Sequence, residues 1–209
     1  MTVQAIANTS ATIAVPRLVH FTRVTNLPSI LTHGLYPISK TDRIGVTPDV
    51  NDMLRLDGHR DATSLSITFP NNLMFWKYRQ ENPNVDWAVL LISPSVLWTK
   101  NCAFCRFNAA DARISGQLVN QLKTHQSFLG MFEEIDGFRS RQEQRLQPYD
   151  TTDVQAEVLA FDIIEPNLIM GVAFNKAEVR DRYLPILEGK RVILDALTGG
   201  YFASRSFVR

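Results

Sequence analysis

Residues 87–92, Trp-Ala-Val-Leu-Leu-Ile, form an unbroken apolar run between Asp86 and Ser93. A strand with one wet face alternates polar and apolar side chains. A short run without alternation reads as a strand buried on both faces, in the interior of a sheet. The other elements must be built around it. Residues 17–22 read as a short strand that sends His20 and Thr22 to one face and Val19 and Phe21 to the other. A helix follows, capped by Thr25, with Pro28 in its first turn, Leu27, Ile30 and Leu31 as its apolar stripe, and Gly34 at its end. Residues 64–69 form a strand and 71–80 a helix with Met74, Phe75 and Tyr78 on one side. A helical turn starts at 93–95, and 118–132 forms a helix. Strands are expected at 155–161 and 168–174, a helix from Asn175 to about Glu188, and a last strand at 192–194. No regular βαβ alternation connects these elements, so the class is α+β with a mixed or mainly antiparallel sheet.

Two stretches break this regularity. Residues 36–63 carry Pro37, Gly45, Pro48 and Gly58 and read as a long loop with a short helix at 50–56. Residues 100–116 are also irregular. Long loops within a compact domain are often functional. Residues 1–16, rich in Thr, Ala, Asn and Ser, read as a flexible lead-in. Residues 17–209 then form a single domain, since 209 residues suit one core.

Charge and cysteine usage narrow the function. Lys and Arg number 22 against 21 Asp and Glu, a formal net charge of +1. A protein that neutralises a long duplex is usually more basic, so any nucleic-acid contact comes from a local groove. No apolar run reaches the ~20 residues of a membrane span, and the N-terminus lacks the pattern of a signal peptide. Cys102 and Cys105 form one C-x-x-C, but no second pair and no H-x-x-x-H completes a zinc site. They read as reduced, partly buried thiols of a cytoplasmic protein. P-loop, dinucleotide-binding, zincin and nucleophile-elbow signatures are all absent.

Three places remain for chemistry. Gln155, Glu157, Leu159 and Phe161 share one strand face, polar at its start and apolar at its end. That suits a strand leaving the core with a carboxylate at a cleft rim, or an edge strand whose Glu faces water. His20 and Thr22 share a face near the start of the fold, where a lone His is more often a structural residue than a ligand contact. Arg55, His59 and Arg60 sit in the long loop, where guanidinium forks match phosphate oxygens, or pair with Asp57 and Asp61.

Together these segments resemble the DarT-type toxins, which ADP-ribosylate bases of single-stranded DNA. The likeness rests on His20-Phe21-Thr22 followed by Asn26-Leu27-Pro28-Ser29-Ile30-Leu31 and Gly34-Leu35. It rests also on the 64–69 strand running through Pro70 to Met74 after a loop arginine, and on Gln155-Ala156-Glu157, which matches the family's Q-A-E strand. It covers residues 17–174. It implies the ADP-ribosyltransferase fold, a split mixed or antiparallel sheet flanked by helices with NAD in the crevice. NAD serves as co-substrate and no metal is needed. By the same likeness Glu157 and Arg55 are catalytic, with Arg60 competing for the arginine's role. His20, Thr22, Asn26, Gly34 and Arg55 bind NAD. The base-reading loop is matched to 102–108, with Phe104, Arg106, Phe107 and Asn108 against the target base. That base is guanine or thymine, and the sequence lies closer to the guanosine-modifying branch. An antitoxin that removes ADP-ribose is the implied partner.

Three rivals stand beside this reading. One is the same chemistry on RNA or protein. Another is a non-catalytic binding module on the same fold. The third is a metal-dependent nuclease using the acidic group Asp49, Asp52, Asp57 and Asp61.

Overall fold

The computed structural model describes residues 2–45, 47–49, 57–195 and 200–209. The short helix expected at 50–56 lies outside them. Seven strands form one sheet: β1 (Leu18–Arg23), β2 (Thr63–Ile67), β3 (Trp87–Ile92), β4 (Cys102–Cys105), β5 (Glu157–Ala160), β6 (Ile169–Phe174) and β7 (Arg191–Leu194). Their order is β4-β5-β2-β1-β3-β6-β7. All neighbours are antiparallel except β6 and β7, which run parallel. The sheet is mixed, as expected, and all six residues of β3 are buried.

The sheet is split. β1 pairs with β3 along its whole length, from Leu18↔Ile92 to Arg23↔Trp87. It pairs with β2 only at Leu18↔Ile67 and Val19↔Ser66. Beyond Val19 the two strands part, and the far end of β2 pairs instead with β5, Thr63↔Ala160 to Leu65↔Val158. A crevice therefore opens between a β1-β3-β6-β7 half and a β4-β5-β2 half.

One face of both halves shares a single core of Leu18, Leu65, Ile67, Leu90, Ile92, Phe104, Val158 and Phe128. The other face has two separate clusters. Val19, Val89 and Leu91 pack with Phe75 and Phe202 on the first half. Ala103, Cys105 and Leu159 pack with Ile114 and Phe161 on the second. Alternation along β5 explains the division, since Val158 and Ala160 face the common core and Leu159 the second cluster.

Several local expectations are corrected. The N-terminal residues are a helix, Thr2–Thr12, with Ile6 and Ser10 buried, and Thr9 Oγ1 lies 2.8 Å from His125 Nε2. Thr, Asn and Ser are weak helix formers, so docking on the turns Val96–Thr99 and His125–Gly130 supplies the order. The stretch expected to be irregular from 100 contains β4. The helix expected at 118–132 is a 3₁₀ turn, Val119–Leu122, and a helix, His125–Gly130, broken where Thr124 caps the latter through Ser127 N. Thr25 caps no helix; its hydroxyl donates to Asp49 Oδ2 at 2.6 Å. Among the described residues no helix is long and apolar enough to cross a membrane.

Candidate active site

The crevice forms a cleft of about 720 Å³. That lies within the usual range for a small-molecule or cofactor site. His20, Thr22, Asn26, Gly34, Asn108 and Glu157 all line it. His20 and Glu157, far apart in sequence, thus meet across the gap between the two halves of the sheet.

His20 holds the split edge. β1 has left β2 at this point, and His20 Nδ1 lies 2.9 Å from the Ser64 carbonyl oxygen. The imidazole replaces a strand-to-strand hydrogen bond that the parted backbones no longer make. Thr22, 3 % exposed, accepts from Asn26 Nδ2 at 3.0 Å. The same amide nitrogen donates to the Asp49 carbonyl, and Asn26 Oδ1 accepts from Asp49 N, both at 3.0 Å. Asn26 therefore ties β1 to the middle of the long loop. Gly34 has φ +100, and a Cβ there would stand 2.5 Å from the Ile164 carbonyl oxygen. Only glycine tolerates both conditions. The chain then joins Ile164 through Leu35 in an isolated bridge.

Glu157 opens β5 opposite Cys105 and is 6 % exposed. Its Oε1 accepts from Asn108 Nδ2 and its Oε2 from Ala109 N, each at 3.1 Å. A buried carboxylate held by a fixed amide and a backbone N–H is oriented before any substrate arrives. Cys105 and Cys102 are both free and buried. Burial pushes each thiol up to about 12, and for Cys105 the neighbouring Glu157 charge adds to the rise. Neither is a nucleophile at neutral pH. Among the described residues no three His, Cys, Asp or Glu side chains are grouped to hold a metal.

The base-contact candidates fare differently. Phe104 is 1 % exposed and packs on Phe128 with centroids 5.1 Å apart, so it belongs to the core and cannot stack on a base. Arg106 turns away from the cleft, donating to the Glu134 carbonyl and lying 3.8 Å from Glu133. One face of Phe107 is covered by the Arg113 guanidinium at 3.5 Å. Asn108 alone of the four lines the cleft, and it holds Glu157. Arg60 is exposed and does not line it. Arg55 lies outside the described residues.

Sequence reasoning missed Ser64, Ser66 and Gln155 as cleft residues. The signal was present for the serines, since Thr-Ser-Leu-Ser-Ile alternates polar and apolar along β2.

A family model described as "ssDNA thymidine ADP-ribosyltransferase, DarT" matches residues 19–197. No curated protein matches the sequence. Among solved structures, Thermosipho africanus DarTG in complex with ADP-ribose is 14% identical with a TM-score of 0.56, over 89% of this chain and 50% of that one. The chain thus spans half the length of that relative. Thermus sp. 2.9 DarT in complex with NAD+ is 15% identical with a TM-score of 0.54, over 87% of this chain and 96% of that one. The Thermus protein in complex with ADP-ribosylated ssDNA gives the same identity and TM-score, over 87% and 95%. These likenesses carry the fold, an α+β ADP-ribosyltransferase sheet. The family description names thymidine; the leaning of the sequence towards guanosine has no counterpart among these matches.

Proposed function

The chain belongs to the DarT family of ssDNA ADP-ribosyltransferases, and from that premise we propose that it transfers ADP-ribose from NAD to thymine or guanine of single-stranded DNA. The observation that carries the reading is the meeting of His20, Thr22 and Glu157 in one cleft, with the Glu157 carboxylate already oriented by Asn108 and Ala109.

His20 and Thr22 orient the nicotinamide end of NAD, with Asn26 and Gly34 shaping the wall beside it. The bond between the nicotinamide nitrogen and the ribose breaks, and nicotinamide leaves with the bonding electrons. Positive charge develops on the ribose, and the Glu157 carboxylate stabilises it. A nitrogen of the base then forms the new glycosidic bond, and its proton passes to Glu157. Arg55 contacts the pyrophosphate or assists that proton transfer. Base recognition falls to the connection between β4 and β5, beginning at Phe107 and Asn108. A base inside a duplex hides its edge, so single strands are the cheaper substrate.

Within the cell this activity is that of a cytoplasmic toxin, restrained by an antitoxin that removes ADP-ribose, and residues 17–209 act as one catalytic domain. NAD and exposed single strands are both found in that compartment.

The test is purified protein with NAD and a panel of single-stranded DNA, duplex DNA and RNA oligonucleotides, read by mass. A gain of one ADP-ribosyl group on single-stranded DNA alone is expected, and fragmentation names the base. Equal labelling of duplex contradicts the single-strand reading. NAD loss without labelled oligonucleotide points to a protein acceptor or hydrolysis. Unchanged turnover in both Arg55→Ala and Arg60→Ala rejects the arginine's role.

A further inference from the structure

We propose that Asp150 is a positioning residue for Glu157, joining the closed end of the β1–β2 split to the segment that leads into β5. This inference rests on the catalytic reading of Glu157.

Asp150 has no exposed surface. A buried carboxylate is costly unless paired and fully hydrogen-bonded. Here Oδ1 accepts from the Thr68 hydroxyl at 2.8 Å and from Arg209 Nη2 at 2.8 Å. Oδ2 accepts from Arg209 Nε at 2.6 Å and from Gln147 N at 2.9 Å. The Arg209 contact is the two-pronged fork that fixes both distance and plane.

The partners of this carboxylate explain its reach. Thr68 follows the last residue of β2, and its N–H donates to the carbonyl of Arg17, which precedes the first residue of β1. Leu18↔Ile67, the pairing at the closed end of the split, lies between them. Thr68 has φ +63. That left-handed conformation is unfavourable for a β-branched residue and persists only where its surroundings hold it. The Asp150 and Arg17 bonds are those surroundings.

On the other side, hydrogen bonds pin most of the segment from Asp150 to Glu157. Arg141 Nη1 donates to the Asp150 carbonyl at 2.7 Å and to Thr152 Oγ1 at 2.8 Å. Arg205, 7 % exposed, donates to the carbonyls of Thr151 at 2.7 Å and Thr152 at 3.1 Å. Asp153 Oδ1 accepts from Gln155 N at 2.8 Å, and its carbonyl accepts from Ala156 N at 3.2 Å. Glu157 comes next. β1, which carries His20, and the approach to Glu157 thus share one anchor at the base of the cleft. Loosening it lets the two walls drift relative to each other, and transfer is sensitive to such drift.

Thr68→Gly separates this role from simple support. It deletes the hydroxyl bond to Asp150, while glycine adopts the left-handed conformation without penalty. Thr68→Ser restores the hydroxyl. Asp150→Asn supplies a second route, turning one accepting oxygen into a donor that faces the Arg209 guanidinium. For full-length wild type and the three variants, melting, NAD KM, kcat for transfer and amide exchange across 150–157 are measured. In Thr68→Gly we expect a folded protein whose melting falls by only a few degrees, an NAD KM within about threefold, and kcat lower by about 10- to 100-fold, the scale of an ångström of misplacement. Exchange quickens over 150–157, and Thr68→Ser recovers both readouts. A folded Thr68→Gly with wild-type kcat and exchange overturns the proposal, whether or not Asp150→Asn folds. A wild type that labels no acceptor overturns the catalytic reading instead, and amide exchange then still decides whether Asp150 holds the 150–157 segment.

Discussion

The side-chain amide of Asn108 donates to Glu157 Oε1 at 3.1 Å, and the N–H of the next residue, Ala109, donates to Oε2 at the same distance. The segment that follows β4 is thereby joined to the start of β5 through one carboxylate. Glu157→Ala is expected to fold and lose transfer by at least about 100-fold, the scale of a preorganised electrostatic group. Asn108→Ala leaves the Ala109 bond in place and is expected to cost about tenfold in kcat, the scale of one hydrogen bond to a charge. Steady-state transfer assays compare the two. An Asn108 variant as active as wild type would show that the amide has no part in holding the carboxylate.

Gly34 answers to sterics as well as to the cleft it lines. Its φ of +100 and the 2.5 Å approach of an added Cβ to the Ile164 carbonyl make any side chain a strain. Gly34→Ala is expected to lower stability by about 2–4 kcal/mol, adding a left-handed penalty to an overpacking one. Denaturant unfolding measures it; a loss below the error of the fit would mean the Leu35–Ile164 bridge moves freely.

The acid limb of stability should bear the mark of Asp150. Burial pushes its carboxyl up, but hydrogen bonds from Arg209, the Gln147 N–H and Thr68 outweigh burial and hold it below the usual carboxylate range. A depressed folded value stabilises the protein above the unfolded Asp value of about 3.9. That stabilisation is lost as pH falls through the lower folded value. Asp153 shifts the other way through burial, so the comparison must isolate Asp150. Melting followed from pH 6 downward should fall more steeply below about pH 4 for wild type than for Asp150→Asn. Parallel curves would deny the linkage.

Cys102 and Cys105 should be inert in the native protein. Burial pushes both thiols up to about 12, so neither forms thiolate at neutral pH. Iodoacetamide at pH 7.5 is expected to label neither until denaturant is added. Rapid native labelling would place one of them at an accessible surface.

The Cys102–Cys105 run also marks a limit of sequence reading. It is a four-residue strand buried throughout, and so short an apolar stretch has no periodicity to announce it. The family likeness sets Phe104, on the same segment, against the target base, yet its ring lies in the core. A run's place in the chain does not reveal which way each side chain points until the neighbouring strand is known.

What the sequence determined by itself is the set of elements with strong local signals. β3 follows from an apolar run with no alternation, the end of the helix Leu27–His33 from Gly34, and the two faces of β1 and β5 from period-two patterning. The His20-x-Thr22 and Gln155-Ala156-Glu157 segments carried the family likeness. Tertiary structure decided the rest. It ordered the N-terminal helix, whose composition is a poor helix former, by giving Ile6 and Ser10 a surface to bury against. It also made the site, because β1 stops pairing with β2 after Val19 and His20 bridges to Ser64 in the gap. Strand divergence is a property of two chain segments distant in sequence, set by what each pairs with on its other side. No local pattern within either strand encodes it.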